Sequence, residues 1–325
     1  MSFVLLVLGF AALIKGADVL IDSASKLAKM LAVPSFIIGF TVLAFGTSAP
    51  ELIIGIVSGL GQTNLITLGD VIGSCIANIA LIIGITAIIH PLSIEKSVLY
   101  KEIPISFGVQ LILSGMLFIG GILSRIDAAI LLVLFAIFLF YIFKRSRNFG
   151  ITVEENGAGT ATEANNANEG NAAETAKTKI KLAAWLIIGI AGVIAGGNLV
   201  VNSSTAIAHR FGLSDVLIGA TIVALGTSLP ELVTSVVAAI KKQSDIAIGN
   251  IIGSNIFNIL FVLGVSSIIH PIKGSAGINV DIAFMLFATL LAFLIPLHRK
   301  TIYRSGGIAL IIFYAAFILY KVFYS

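Results

Sequence analysis

The sequence predicts an all-α integral membrane protein with ten transmembrane helices in two inverted five-helix repeats. Three observations support this prediction: the composition, the number of long apolar stretches, and an internal repeat. Hydrophobic residues make up 58% of the 325-residue chain and charged residues only 11%, and the mean hydropathy is +1.08. Soluble domains contain about 25% charged residues, so lipid is the expected solvent for most of this chain.

The chain divides into ten apolar stretches, each close to the roughly 20 residues that cross a bilayer. They cover residues 2–24, 35–60, 66–90, 103–123, 127–144, 180–207, 215–240, 246–270, 281–297 and 305–323. The first stretch is apolar from its start and has no basic segment before it. We therefore expect a spanning helix there, with a cleaved signal peptide as the alternative.

Composition predicts three parts in the chain. The first transmembrane half covers residues 1–145, a flexible linker covers 146–179, and the second transmembrane half covers 180–325. Residues 154–178 are rich in Ala, Asn, Gly, Thr and Glu and contain no aromatic residue. Such a segment is too polar to form a packed core, which favours a flexible linker.

The loop charges predict the orientation of the chain. If the N-terminus lies outside, the loops predicted to face the cytosol contain 15 Lys and Arg residues, whereas the opposite side contains 4. The positive-inside rule therefore favours a multi-pass protein of the cell membrane with both termini extracytoplasmic and the linker cytosolic.

Residues 39–91 repeat as residues 219–271, with 23 of 53 positions identical and no gap. GFTVLAFGTSAPEL in the first copy corresponds to GATIVALGTSLPEL in the second, and GDVIGSCIANI corresponds to GNIIGSNIFNI. Because each half contains an odd number of spans, the second copy enters the membrane from the opposite side. Inverted repeats with interrupted helices are typical of secondary transporters, whose substrate site lies where the repeats meet.

Two carboxylates lie deep within otherwise uncharged spans, Glu51 and Glu231, and they occupy equivalent positions in the repeat. An acidic side chain at that depth is costly and usually functional. Each follows a Gly-Thr-Ser-x-Pro run, and the proline bends the helix and leaves carbonyl groups without a backbone donor. We expect the carbonyls of Ala44 and Ala224 to be available in this way.

Neutral oxygen donors accompany both glutamates at helical spacings of three and four residues, which place them on shared faces. The candidate ligands are Thr47, Ser48, Ser74 and Asn78 in the first repeat and Thr227, Ser228, Ser254 and Asn258 in the second. Calcium binds 6 to 8 oxygens, and the set contains no imidazole or thiolate motif for zinc or copper. When calcium leaves, the paired carboxylates must bind monovalent ions or protons, which predicts exchange.

Other polar residues have simpler interpretations. Asp70 and Asn250 are expected to open their helices, where they would cap free N–H groups. A vestibule role is the alternative for Asp70. In the first helix, Lys15, Asp18 and Asp22 indicate either an internal ion pair or the end of the apolar segment.

The motifs GTSAPE (Gly46 to Glu51) and GTSLPE (Gly226 to Glu231), together with the two GSxxxN runs, resemble the α-repeats of the cation/Ca²⁺ antiporter superfamily, and its sodium/calcium exchanger branch in particular. The resemblance implies that the glutamates, the neighbouring Thr, Ser and Asn side chains and two alanine carbonyls coordinate Ca²⁺ and Na⁺. It also implies that the first and sixth helices slide across a fixed core.

The chain departs from that resemblance in one position. Asn258 stands where sodium/calcium exchangers commonly have an aspartate, which leaves the coupling stoichiometry open. Proton-driven members usually have a Gly-Asn-x-x-Glu motif, so the motif of this chain favours sodium.

The predicted function is therefore a secondary antiporter that exchanges Ca²⁺ for Na⁺ and is not an enzyme. The alternatives are a Ca²⁺/H⁺ antiporter and, more weakly supported, a cation channel. An intramembrane hydrolase is disfavoured because the sequence has no His-Glu-x-x-His or Gly-x-Ser-x-Gly motif. We expect no cofactor, no nucleic acid and no obligate protein partner; the expected partners are the two transported ions, with H⁺ as an alternative, and the lipid bilayer.

Overall fold

The computed structural model describes residues 2–31, 33–62, 65–157, 170–211, 226–274 and 277–324, and helices make up most of them. In the first half the helices are α1 (Ser2–Met30), α2 (Ser35–Thr47), α3 (Ala49–Leu60), α4 (Leu65–Ile76, continued by Ala77–Ile82 and Ile83–Ile89), α5 (Val98–Glu102, continued by Ile103–Gly120) and α6 (Arg125–Gly157). In the second half they are α7 (Gly170–Arg210), α8 (Leu229–Ile240), α9 (Ser244–Phe257, continued by Asn258–Val262 and Leu263–Ile269), α10 (Ile278–Leu294) and α11 (Arg304–Tyr324).

Among the described residues, seven helices are long and apolar enough to cross a bilayer, and the bent pair α2 and α3 adds an eighth. Helices α8 and α10 are also apolar, with 12 and 17 residues. The prediction of an all-α membrane protein is confirmed, whereas the count of ten spans stays a prediction. Several helix ends differ from those expected, because helices continue into the polar loops; α1 extends to Met30, for example.

Proline and serine create the break between α2 and α3, where the helix axes differ by 44°. Ser48 leaves the helical conformation, with φ −85° and ψ 11°, and Pro50 lies in the first turn of α3. Ser228 and Pro230 have the same arrangement at the start of α8, with φ −85° and ψ 1° at the serine. A proline fits this position because the N–H groups of a first helical turn have no intrahelical partner.

Helices α4 and α9 each contain a wide π-helical turn at equivalent positions of the repeat, Ala77–Ile82 and Asn258–Val262. Such turns leave backbone groups displaced from the regular hydrogen-bond ladder and occur often at functional sites. Each turn includes the asparagine that closes a GSxxxN run, Asn78 in α4 and Asn258 in α9.

Helices α1 and α7 pack against each other in antiparallel directions. Gly9 of α1 lies beside Val200 of α7, and Gly16 lies beside Val193. A Cβ atom at Gly196 would come within 2.4 Å of the Leu13 nitrogen, so the two backbones are in direct contact.

Four short strands connect the two halves of the chain. β1 (Leu92–Ser93), which follows α4, pairs with β4 (Thr301–Ile302), which lies between α10 and α11. β2 (Ile122–Leu123), between α5 and α6, pairs with β3 (Ile272–Lys273), which follows α9. Both pairs are antiparallel, and each contains one strand from each half.

Helix α9 lies at the centre of the protein: 94% of its apolar window is buried, compared with 17% for α11. Phe45, Phe135, Phe257 and Phe261 form an aromatic cluster that packs α9 against α2 and α6. The large apolar side chains exposed on α1, α6 and α11 face outward, as expected for surfaces covered by lipid.

The segment predicted to be a linker, 146–179, is partly helical. Helix α6 continues to Gly157 and α7 begins at Gly170, while residues 158–169 lie outside the described part of the chain. The alanines and glutamate of 172–176 have high helix propensity, which explains why α7 extends into this range. The division into three domains stays a prediction.

Candidate functional site

The two glutamates occupy the same position in their helices. Glu51 is the third residue of α3 and Glu231 is the third residue of α8, and both are buried, with relative exposures of 1% and 0%. The first turn of a helix carries unpaired N–H groups and a positive dipole end, which stabilise a carboxylate there. The break before each helix thus places an acid at a favourable helix end inside the protein.

Glu231 receives hydrogen bonds from both halves of the chain. The Ser48 hydroxyl donates to Glu231 Oε1 at 3.0 Å, and the Ser254 hydroxyl donates to the same oxygen at 3.5 Å. Glu51 differs, because neither of its carboxylate oxygens has a hydrogen-bond partner among the described residues. The charges of Glu51 and Glu231 repel each other electrostatically.

The carbonyl of Ala44 faces the same site. The hydroxyls of Thr47 and Ser254 both lie 3.5 Å from its oxygen. The expectation that this carbonyl lacks a backbone donor is wrong, because the Ser48 N–H bonds to it at 3.1 Å; a proline at position 50 affects a carbonyl four residues earlier, not six. The Ala44 oxygen thus has three donors within hydrogen-bond distance, and the two hydroxyls are the more distant ones.

A glycine makes the contact between α9 and α2 close enough for this arrangement. A Cβ atom at Gly253 would lie 2.5 Å from the Phe40 oxygen. No larger residue fits without moving the helices apart. Ser254, the next residue, consequently reaches both Ala44 and Glu231.

Asp70 and Asn250 do not open their helices, which corrects the prediction of a capping role. Asp70 is the sixth residue of α4, which begins at Leu65, and Asn250 is the seventh residue of α9, which begins at Ser244. The helices begin at Leu65 and Ser244, close to the starts of the predicted apolar stretches at 66 and 246, so a position more than one turn further on cannot cap them. Both polar side chains therefore lie within the helix bundle.

Each of these side chains contacts a candidate threonine of the opposite repeat. The Thr47 hydroxyl donates to Asn250 Oδ1 at 3.2 Å, and the Thr227 hydroxyl donates to Asp70 Oδ1 at 3.3 Å. The two contacts are equivalent under the 180-residue offset of the repeat. Neither Asp70 nor Asn250 was predicted to be an ion ligand, and a vestibule role for Asp70 was only the alternative to capping, although their polarity within an apolar span was a signal.

The remaining candidates lie in the same buried region. The Ser228 hydroxyl lies 3.4 Å from that of Ser74, and Asn78 Nδ2 donates to Asn255 Oδ1 at 2.9 Å. Asn258 is fully buried, and neither its amide nitrogen nor its amide oxygen has a partner among the described residues. Ala224 lies outside the described residues.

A second polar cluster lies outside the region around the two glutamates and consists of Lys241, Asp18 and Asp22. The ammonium group of Lys241 forms ion pairs of 2.6 Å with both Asp18 and Asp22 of α1. An ion pair within α1 was one of two alternatives; the structure shows instead ion pairs that connect α1 to the end of α8. Lys241 is the residue after the end of α8. Its contact with α1 therefore comes from the packing of two helices and could not be read from the spacing of residues within one helix.

Several buried oxygens of the site have no hydrogen-bond donor within the described chain: both oxygens of Glu51, Oε2 of Glu231 and Oδ1 of Asn78 and Asn258. Burying a charged or polar group without a partner is costly, and a hard cation satisfies such oxygens. Among the described residues, no three Asp, Glu, His or Cys side chains lie together in a group that could hold a metal ion, and the polar groups around the two glutamates are hydroxyls and amides. An all-α membrane bundle with two buried glutamates and unpartnered oxygens where its halves meet has the features of one class, a polytopic cation transporter.

Comparisons with known proteins give the family. The sequence profile of the family described as "Sodium/calcium exchanger protein" matches residues 1–144 and 181–323. The sodium/calcium exchanger MaX1 of Methanosarcina acetivorans is 32% identical, over 98% of this chain and 97% of its own length. The inner membrane protein YrbG of Escherichia coli is 36% identical, over 82% of this chain and 79% of its own length.

A solved structure has the same fold. The sodium-calcium exchanger NCX_Mj, soaked with 10 mM Na⁺ and zero Ca²⁺, superposes with a TM-score of 0.81 and 31% identity, covering 100% of this chain and 99% of that one. The chain belongs to the sodium/calcium exchanger family, whose members are membrane transporters and not enzymes.

Proposed function

We propose that this chain exchanges Ca²⁺ for Na⁺ across the cell membrane by alternating access at one acidic site. The observation that carries the proposal is the pair of buried glutamates, Glu51 and Glu231, each at the start of a proline-containing helix. The family supports the proposal, because relatives that match nearly the whole chain are named sodium/calcium exchangers.

The proposed ligands are oxygens from four helices of the two repeats. They are the carboxylates of Glu51 and Glu231, the carbonyls of Ala44 and Ala224, and the side chains of Thr47, Ser48, Ser74, Asn78, Thr227, Ser228, Ser254 and Asn258. Calcium requires 6 to 8 oxygens and prefers carboxylates and carbonyls. The unpartnered oxygens of Glu51, Glu231 and the two asparagines support this assignment.

Exchange follows from the charge of the site. One Ca²⁺ neutralises two buried glutamates, and its departure leaves two charges in a region from which water is excluded. An uncompensated buried charge costs several kcal/mol, so Na⁺ must replace Ca²⁺ before the site changes its access from one face of the membrane to the other. The same requirement makes transport of either ion depend on the other.

The proposed architecture is ten spans in two inverted repeats, with both termini outside and the 146–179 segment in the cytosol. Three features support the inversion: the odd number of spans in each half, the antiparallel packing of α1 and α7, and the strand pairs that join non-equivalent loops of the two halves. The loop charges support the orientation.

The proposed moving part is the pair of helices α1 and α7. Their backbones are in contact at Gly16 and Gly196, so they can move as one body. Helix α7 lies beside both acidic segments, because Ile190 packs against Gly46 of α2 and Gly197 lies beside Pro230 of α8. A shift of this pair would open the site first to one face and then to the other.

The test is uptake of ⁴⁵Ca²⁺ into proteoliposomes that contain the purified protein, with an outward Na⁺ gradient or an outward H⁺ gradient. We expect uptake with the Na⁺ gradient alone, and loss of that uptake in the Glu51→Gln/Glu231→Gln variant. Uptake driven only by protons would replace the proposal by Ca²⁺/H⁺ exchange. Uptake that needs no counter-gradient would instead indicate a channel.

A further inference from the structure

A groove lies between the C-terminal part of α1 and the N-terminal part of α7. It has a volume of about 710 Å³ and is lined by side chains of both helices. We call it the basic groove and define it by Lys26 and Lys29 of α1 and Lys181 and Trp185 of α7. None of the proposed ion ligands lines the groove, so it is separate from the central site.

The antiparallel contact of α1 and α7 brings lysines of both helices to the same level. Gly189 of α7 lies against Leu20 of α1. Lys181 stands eight residues before Gly189, and Lys29 stands nine residues after Leu20. A helix rises about 1.5 Å per residue, so both lysines lie roughly 12 to 14 Å from that contact, in the same direction.

The described chain leaves the groove positively charged. Its lining contains three lysines and one aspartate, Asp22, a net charge of +2. Asp22 forms an ion pair with Lys241, which also pairs with Asp18, whereas the ion pairs seen between described residues include none of the groove lysines. Lys26 and Lys29 are three residues apart on one helix, a spacing at which like charges repel. The groove therefore favours an anion.

The groove also passes from apolar to polar surroundings, which indicates the kind of anion. Val19, at one end of its lining, lies within the apolar stretch 2–24, whereas Lys29 lies beyond that stretch. Trp185 is 44% exposed, and tryptophan is enriched at the level of lipid headgroups. Basic pockets between spanning helices bind anionic headgroups. A phospholipid matches both the lysines and the apolar part of the lining, whereas a soluble anion matches the lysines alone.

We infer that the basic groove binds the phosphate headgroup of an anionic phospholipid, with the acyl chains beside Val19 and Trp185. The orientation proposed above makes this a lipid of the cytosolic leaflet. A phosphate between Lys29 and Lys181 holds the ends of α1 and α7 together. Its effect on transport rests on the proposed function, in which the two helices move as one body; the binding of the lipid does not.

Trp185 provides a local probe, because it is the only tryptophan of the chain and lines the groove. The experiment measures its fluorescence in the full-length protein in phosphatidylcholine vesicles that contain increasing fractions of a lipid with brominated, quenching acyl chains. We expect brominated phosphatidylglycerol to reach half-maximal quenching at a mole fraction at least about fivefold lower than brominated phosphatidylcholine. Equal quenching by the two lipids would overturn the inference.

The groove variant, Lys26→Gln/Lys29→Gln/Lys181→Gln, tests the lysines. The difference between the two brominated lipids should disappear in this variant and return when the same three positions are changed to Arg, which restores the charge. A groove variant that keeps the preference for phosphatidylglycerol would contradict the inference. If the triple variant does not fold, Lys29→Gln alone provides the same comparison with a smaller expected loss.

The control variant, Lys96→Gln/Lys101→Gln/Lys144→Gln, removes the same charge from exposed lysines that lie outside the groove. It should keep the preference, and its loss there would show that total charge and not the groove selects the lipid. Inorganic phosphate, compared with chloride at equal ionic strength, should leave the preference unchanged. A loss with phosphate alone would make a soluble anion the occupant and overturn the inference.

Transport measurements separate this inference from the proposed function. Exchange by the wild type and the control variant should be about twofold faster in vesicles with phosphatidylglycerol than in phosphatidylcholine alone, and the groove variant should not respond. A quenching preference without any effect of the lipid on exchange would overturn the coupling of α1 and α7 by the lipid. If the preference is present but the wild type does not exchange the ions, the inference stands and the exchange proposal fails. If exchange occurs and the two lipids quench equally, the exchange proposal stands and the inference fails.

Discussion

The hydroxyl of Ser48 donates a hydrogen bond of 3.0 Å to Glu231 Oε1, although the two residues are 183 positions apart in the sequence. Ser48 belongs to the first repeat and Glu231 to the second, so this contact joins the two halves at their acidic centre. The break between α2 and α3 makes this hydrogen bond possible, because Ser48 is the non-helical residue at the break.

Ser48→Ala is expected to lower Ca²⁺ affinity about tenfold, which corresponds to ~1.4 kcal/mol. The substitution removes one proposed oxygen ligand and the hydroxyl that donates to the buried Glu231 carboxylate. Calorimetric titration with Ca²⁺ measures the change.

Ser114→Ala is the matched control for Ser48→Ala. Ser114 is also buried, but its hydroxyl bonds the carbonyl of Gln110 in its own helix. An equal loss of Ca²⁺ affinity in the two variants would contradict a ligand role for Ser48.

Gly196→Ala is expected to reduce the rate of exchange at least tenfold while changing equilibrium Ca²⁺ binding much less. A methyl group there meets the Leu13 backbone at 2.4 Å and forces α1 and α7 apart. If these helices move as one body, the substitution affects the transition between states more than the ligands. Initial rates of ⁴⁵Ca²⁺ uptake and binding isotherms provide the comparison.

Gly108→Ala and Gly115→Ala in α5 serve as controls, since a Cβ atom at either position meets nothing within 4 Å. Both variants should transport normally. Equal effects on binding and transport by Gly196→Ala would count against a moving pair of helices.

Lys241→Gln is expected to increase the rate at which the protein leaves the conformation described here, and with it the exchange rate, by about twofold to fivefold. The ion pairs with Asp18 and Asp22 attach α1 to the end of α8, and exposed pairs contribute about 0.2–1 kcal/mol each. The difference from wild type should disappear at about 1 M salt, where the Debye length is ~3 Å.

Lys242→Gln tests whether a loss of positive charge alone explains the effect. Lys242 is exposed and forms none of the ion pairs seen between described residues. Exchange rates measured at low and high salt should distinguish the two variants, and a persistent Lys241 effect at high salt would argue against an electrostatic contact.

Arg145→Gln is expected to destabilise the protein by roughly 3–5 kcal/mol, the usual consequence of removing one partner of a buried ion pair. Arg145 pairs with Glu102, which is fully buried, and stacks over Phe36 at 4.6 Å. Thermal unfolding of the purified protein measures the loss.

The equivalent pair in the second half provides the comparison. Lys321 and Asp281 lie 3.0 Å apart, with 38% of the lysine side chain exposed, so Lys321→Gln should reduce stability less. A larger effect from Lys321→Gln than from Arg145→Gln would contradict the importance of burial.

The sequence could predict the two central glutamates because their positions follow from local chemistry and from the internal repeat. Glu51 and Glu231 lie in spans without other charges, and the 180-residue offset relates them. Their burial and their position at helix starts agree with that prediction. Their role as ion ligands remains a proposal.

What the sequence did not predict depends on contacts between distant segments. Asp70 and Asn250 were expected at helix starts, but where a helix begins depends on how the preceding loop turns, and both helices begin several residues earlier. The pairing of Asp18 with Lys241 joins residues 223 positions apart. No periodicity within α1 indicates such a partner.

The most direct test of the account is equilibrium ⁴⁵Ca²⁺ binding to the purified protein, titrated with Na⁺, for the wild type and for Glu51→Gln and Glu231→Gln separately. The account predicts one Ca²⁺ site per chain that Na⁺ empties, and a loss of affinity of at least about a hundredfold in each single variant, since each removes half the charge of the site. Undiminished Ca²⁺ affinity in either variant, or Ca²⁺ that Na⁺ cannot displace from the wild type, would contradict it.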